Sequence, residues 1–122
     1  MRKYVIPFTL PGLNDYIDAE RAHRQKGAAM KRKWQNAVIM SLRDKRPVQE
    51  PVRIGFVWVE RNRRRDPDNI SGFGRKVILD ALVKAKVLKN DGQRNITSFA
   101  GDTYDVDPKR PCIKVYIYEN GD

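Results

Sequence analysis

The chain predicts an α+β fold, a single compact domain over residues 1–122 with a mixed β-sheet and helices packed mainly on one side of it. Three observations carry this. Apolar residues alternate with period two near both ends of the chain, and a β-branched and aromatic run lies in its middle. Two intervening stretches repeat their apolar residues at helical spacing instead. With 122 residues, 40% of them hydrophobic, the chain can bury a core without disulfide or metal staples. The resulting order is β-α-β-α-β-β.

The first element, KYVIPFTLP, sets Tyr4, Ile6, Phe8 and Leu10 on one face and reads as a strand ended by Pro11-Gly12. From about Met30 to Arg43, Met30, Trp34, Ala37, Val38 and Leu42 recur as one stripe of a helix. Lys31, Arg32, Lys33, Arg43 and Lys45 occupy its other face, and Pro47 and Pro51 bracket the exit. VRIGFVWVE has apolar residues on both faces, as a central strand does. A second helix then runs to about Ala85, with Phe73, Val77, Ile78, Ala81, Leu82 and Ala85 as its buried stripe and Asp68 or Asn69 as its N-cap. NITSFAGDTYDV and CIKVYIYE are two further strands, the second pointing Ile113, Val115 and Ile117 inward.

Composition narrows the chemistry. One cysteine, Cys112, excludes an internal disulfide and a zinc site built on several thiolates. One histidine, His23, excludes two-histidine catalysis. No apolar run reaches the length of a membrane span, and the N-terminus lacks the pattern of a signal peptide. Carboxylates, amines, guanidinium groups and a hard metal are what remain.

The formal net charge is +10, unevenly spread. Residues 1–50 hold eleven Lys/Arg against five Asp/Glu, residues 51–76 seven against three, and residues 77–122 seven against seven. A basic excess confined to one part of a chain is the footprint of a nucleic-acid binder, because neutralised phosphates release their counterions. The plainer reading is a solubilising charge.

Within the basic part, RNRRRDPDNISGFGRK places six cations around Asp66 and Asp68. Pro67 stiffens the pair, and on an extended segment residues i and i+2 project to the same side. Two such carboxylates suit Mg²⁺, which takes one or two of them with phosphate and water. The helix start just beyond offers backbone N–H groups to a phosphate. Alone, the pair reads first as an N-cap with charge compensation for Arg63, Arg64 and Arg65. Asp105 and Asp107 repeat the spacing in an acidic, turn-like stretch and read as a loop. Lys76, Asp80 and Lys84 share one polar stripe of the second helix. Asp91 lies in an Asn-Asp-Gly turn that needs no function to explain it. Spacing leaves open whether that turn folds back toward the helix.

Taken together, RRRDPDN, KVILDAL and the ND-Q turn resemble the RusA family of Holliday junction resolvases, found in bacteria and their prophages. The family pattern is D-x-D-N, a lysine four residues before a D-A-L helix segment, and an aspartate eleven residues after that segment's acid. Lys76 stands four before Asp80 and Asp91 eleven after it, while LPGLNDY, with Asn14, looks like the family's opening. One departure is plain: the family's lysine follows the second aspartate by four residues, and Lys76 follows Asp68 by eight. The resemblance therefore favours Lys76 as the catalytic cation, with Arg75 as runner-up.

The resemblance implies a RusA-like fold and a homodimeric endonuclease that cuts four-way DNA junctions with Mg²⁺, or Mn²⁺ in its place, in bacterial cytoplasm. It needs no small-molecule cofactor and no membrane. Asp66, Asp68 and Asp91 would be the metal ligands and Lys76 the group facing the scissile phosphate. Asn14, Lys31, Arg32, Lys33, Arg63, Arg64, Arg65 and Arg75 would hold DNA. Val57, Val59, Tyr116 and Tyr118 could supply the subunit contact or pack under the protomer's own helices. The rival reading is a non-catalytic basic nucleic-acid binder, or an inactive family member that still binds branched DNA. A phosphohydrolase with an aspartate nucleophile would need more alternating β/α units than the chain has.

Overall fold

A computed structural model describes residues Met1–Asp122. The elements are β1 (Arg2–Ile6), α1 (Leu13–Ala22), α2 (Arg24–Ser41), β2 (Val52–Glu60), α3 (Pro67–Lys84), β3 (Ile96–Val106) and β4 (Cys112–Tyr118). The class is α+β, and the sheet is mixed. Its order is β1-β4-β2-β3, with β2 and β3 parallel and the other two pairs antiparallel. β2 is interior, as its two apolar faces require, and Ile113, Val115 and Ile117 of β4 are buried. No helix is long and apolar enough to cross a membrane.

The helical region before β2 departs from the expected single helix. It holds two helices, joined at His23, which closes α1 and caps α2 by accepting from the Gln25 N–H at 3.0 Å through Nδ1. The helix α1 has no fully buried residue, so no apolar stripe marks it in the sequence. It crosses α2 closely at Gly27, where a Cβ would come within 2.4 Å of the Glu20 side chain. The first strand is also shorter than expected, ending at Ile6. Leu10 stays buried beyond it, and Phe8 lies 5.9 Å from Trp34, ring to ring.

One face of the sheet carries the core. Ile6, Ile54, Phe56, Trp58 and Ile117 meet Val38, Phe73, Val77 and Leu82 of the helices there, each at most 2% exposed. Fully burying one such side chain stabilises by roughly 1.5–3 kcal/mol. The helix α3 presses so near the sheet that a Cβ on Gly74 would come within 2.9 Å of the Trp58 ring. The opposite face carries no helix. Val57, Tyr116 and Tyr118 project from it half-buried, while Val59 is 5% exposed in a cleft beside Pro7, Pro111 and Cys112. None of these four packs under the protomer's helices. The Asp105–Asp107 stretch is not a loop throughout: Asp105 pairs with Val59 inside β3, and the Asp107 N–H donates to the Glu60 carbonyl at 2.9 Å.

Candidate functional site

The N-terminus of α3 lies earlier than Asp68 or Asn69. Asp66 holds the N-cap position in extended backbone, and Pro67 is the first helical residue. Proline suits that position because it has no N–H to leave unpaired and its φ is already helical. Only Asp66 is thus extended; Asp68 stands in the first turn, where its charge meets the positive end of the helix dipole. Both carboxylates are exposed, and neither makes a side-chain ion pair.

The residues of ISGFGR are helical, so Asp68, Gly72, Lys76, Asp80 and Lys84 form one stripe along α3. Lys76 lies eight residues past Asp68, about 12 Å along the axis. Its Nζ stands 3.3 Å from Asp80 Oδ1 and 3.5 Å from Asp91 Oδ2. Asp91 arrives there because the chain turns back after α3. Lys86 takes a left-handed φ of 63°, and the Val87 and Leu88 N–H groups both donate to the Leu82 carbonyl. Val87 and Leu88 are buried, which pins the return.

Gln35 of α2, 4% exposed, donates to Asp80 Oδ2 at 3.1 Å and accepts from Lys84 Nζ. Asp80 is therefore held at both oxygens, by Gln35 and by Lys76. Partial burial works against the Lys76 charge, but Asp80 and Asp91 outweigh it and hold the ammonium above its ordinary pKa. A cleft of about 450 Å³ opens over this group, lined also by Lys31 and Arg32. A second cleft of about 400 Å³ holds Asp68, Ser71 and Arg75, and Lys76 borders both.

Lys76, Asp80 and Asp91 are thus brought together, with Asp66 and Asp68 at the other end of the stripe. No three carboxylate, histidine or cysteine side chains stand close enough to hold an ion. Asp66, Asp68 and Asp91 do not form a ready cage.

The cations divide into two groups. Arg65 clamps the end of β2, with Nε and Nη2 donating to the two Glu60 oxygens at 2.8 and 2.9 Å and Nη1 to the Leu10 carbonyl at 3.1 Å. Arg75 pairs with Asp102 of β3, and its guanidinium lies 5.5 Å from the Phe56 ring centroid and 4.8 Å from that of Phe99. Asp102 also accepts from Trp58 Nε1 at 2.9 Å. These two arginines, expected to hold DNA, are occupied by the fold. Arg63 and Arg64 are exposed and make no ion pair. Lys31 lies 5.6 Å over the Tyr16 ring and Lys33 5.2 Å over the Trp34 ring, leaving both in reach of solvent. Asn14 meets the site through its backbone, donating its N–H to Asn69 Oδ1 at 2.9 Å.

Asn69, Gln35, Asp80, Glu60 and Asp102 complete the arrangement and were not among the expected site residues. Gln35 had a signal: it lies three residues before Val38 on the apolar stripe, where a polar side chain needs a partner. Arg65→Ala is expected to destabilise the fold by about 2 kcal/mol, below the full cost of stranding a buried charge because the guanidinium is partly exposed. Arg63→Ala should stay within about 0.5 kcal/mol of the parent. Urea unfolding of the two variants checks this, and equal midpoints would remove the clamp. Compared with protein-family models and with curated proteins, the chain matches none.

Proposed function

We propose that the chain is an endonuclease for branched DNA of the RusA kind, acting as a homodimer. One observation supports this most: Asp91, fifteen residues from Lys76 in sequence, stands 3.5 Å from its ammonium in a cleft shared with Lys31 and Arg32. The lysine and the distant aspartate that the resemblance pairs by spacing are neighbours in space. A DNA phosphate entering the cleft meets Lys31, Arg32 and Lys76, and the Lys76 charge is best placed to offset charge building on it. Arg63 and Arg64, free of partners, extend the phosphate track toward Asp66 and Asp68.

Asp66 and Asp68 stand apart from Asp91, so the chain's own groups account for substrate binding and charge stabilisation. The requirement for Mg²⁺ or Mn²⁺ comes with the resemblance. A second reading, a DNA binder without nuclease activity, is favoured by that same separation.

A synthetic four-way junction, incubated with Mg²⁺ or with EDTA beside a linear duplex of the same sequence, distinguishes the two. Paired nicks in opposing strands of the junction, in Mg²⁺ alone, are the expected result. Binding without any nick in either Mg²⁺ or Mn²⁺ would leave the second reading. Sedimentation of the protein on the junction tests the homodimer.

A further inference from the structure

Gly55 sits in the middle of β2, the interior strand, where glycine costs roughly 0.5–1 kcal/mol against alanine. Neither its backbone conformation nor a clash requires it. Its φ lies outside the left-handed region, and a Cβ would meet the Ala100 methyl at 3.7 Å and the Ala100–Gly101 backbone at 3.9 Å, ordinary contacts. The pairing of β2 with β3 is irregular at two places, and the extra residues, Thr97 and Ala100, both belong to β3, the second beside Gly55. Glycine inside a strand often marks the place where a ligand or another backbone comes close.

Gly55 points away from the helices, between Ile54 and Phe56 of the core. Its cross-strand neighbours are Tyr116 on one side and Gly101 on the other. Nothing lies within 4 Å of where a Gly101 Cβ would be. The open sheet face therefore has a shallow strip along Gly55, which is buried, and Gly101, floored by the Ala100 methyl and walled by Tyr116.

The wall is aromatic and basic. Tyr116 and Tyr118, two residues apart on one face of β4, lie about 7 Å from each other. Lys3 Nζ is 5.5 Å from the Tyr116 ring centroid, and the Arg53 guanidinium is 5.0 Å from that of Tyr118. Lys114, cross-strand partner of Val57, adds a third cation to this face. Asp105 lies at its β3 margin, and Asp122 near Arg53 is tied to the N-terminal amine at 2.7 Å. Aromatic rings and cations together are the two components of single-strand recognition, and a base stacking here would displace Lys3 or Arg53 from its ring toward a phosphate. A second copy is the poorer occupant, because it would set Lys3, Arg53 and Lys114 of both copies against each other.

We infer that this open face binds single-stranded DNA, with bases laid into the Gly55–Gly101 strip against the tyrosines and phosphates on Lys3, Arg53 and Lys114. The choice of DNA over RNA rests on the DNA substrate proposed above. The binding itself needs neither a junction nor cleavage.

Fluorescence anisotropy of the full chain with labelled dT12 and rU12 in EDTA tests it. Gly55→Val fills the strip without changing charge and suits a strand, so it should keep the unfolding midpoint and weaken dT12 binding about tenfold. Tyr116→Thr with Tyr118→Thr should weaken it about tenfold for each ring lost. Equal dT12 affinity in Gly55→Val and the parent overturns the inference, as does binding of rU12 without dT12. A dimer that Gly55→Val dissociates while dT12 binding is unchanged would make the face an interface between copies and also overturn it. Should the parent fail to cut junctions while Gly55→Val still weakens dT12 binding, the nuclease reading falls and this one stands.

Discussion

With Asp68 a metal ligand, as the resemblance implies, Asp68→Asn is expected to abolish Mg²⁺-dependent nicking of a four-way junction and to leave junction affinity unchanged or higher. The substitution keeps the size of the side chain and removes its charge. Asp68 is exposed and makes no ion pair, so the fold loses only its favourable placement at the start of α3, about 0.3–1 kcal/mol. Affinity for DNA comes from the cations, and removing a negative charge beside Arg63 and Arg64 strengthens it if anything. Gel shift and plasmid nicking, run on the same preparation, separate the two effects. Near-normal cleavage by Asp68→Asn would remove Asp68 from the chemistry.

Lys76→Ala is expected to cost at least about a hundredfold in cleavage, the scale of one group that stabilises charge in the transition state. The loss follows from position, since the ammonium is the cation nearest Asp91 and borders both clefts. Its contribution to stability is separable by pH. Asp80 and Asp91 raise its pKa in the fold, so that contribution is whole at neutral pH and is lost only in strongly alkaline solution. Arg75→Ala makes the contrast. Pairing with Asp102 and contact with Phe56 and Phe99 give Arg75 a structural role, so its loss should lower the unfolding midpoint and spare cleavage at low temperature. The reverse pattern would mean that the correspondence of the lysine was drawn wrongly.

What was legible in the sequence follows from how local each signal is. β4 declares itself because Ile113, Val115 and Ile117 alternate, and β2 because its β-branched and aromatic run suits the strand between β4 and β3. The helix α1 gave no such sign, since it buries no residue fully and is held through Tyr16 stacked on Phe73 at 4.8 Å. The start of α3 was misplaced because Asp68 and Asn69 are good caps, while Pro67 at the first helical position carried the better signal. Asp91 reaches Lys76 through the left-handed turn at Lys86 and the burial of Val87 and Leu88, which spacing does not encode. Arg65 differs from Arg63 and Arg64 only in having Glu60 and Leu10 within reach, a tertiary fact hidden inside a uniform run of charge.

The hydrogen bond from Asn14 to Asn69 has a consequence for the order in which the chain folds. Gly12, the N-cap residue of α1, has no side chain to accept from the helix's first N–H groups, and a Cβ there would come within 2.5 Å of Asn69 Oδ1. The cap is instead delivered from α3, 55 residues away. A ten-residue helix is marginal in water by itself, so α1 is completed only after α3 has taken its place on the sheet. It is expected to belong to the least stable part of the native state and to open as a unit while the sheet remains closed. Its amide protons should therefore exchange before those of α3, and slower exchange in α1 would show that the helix stands without its borrowed cap.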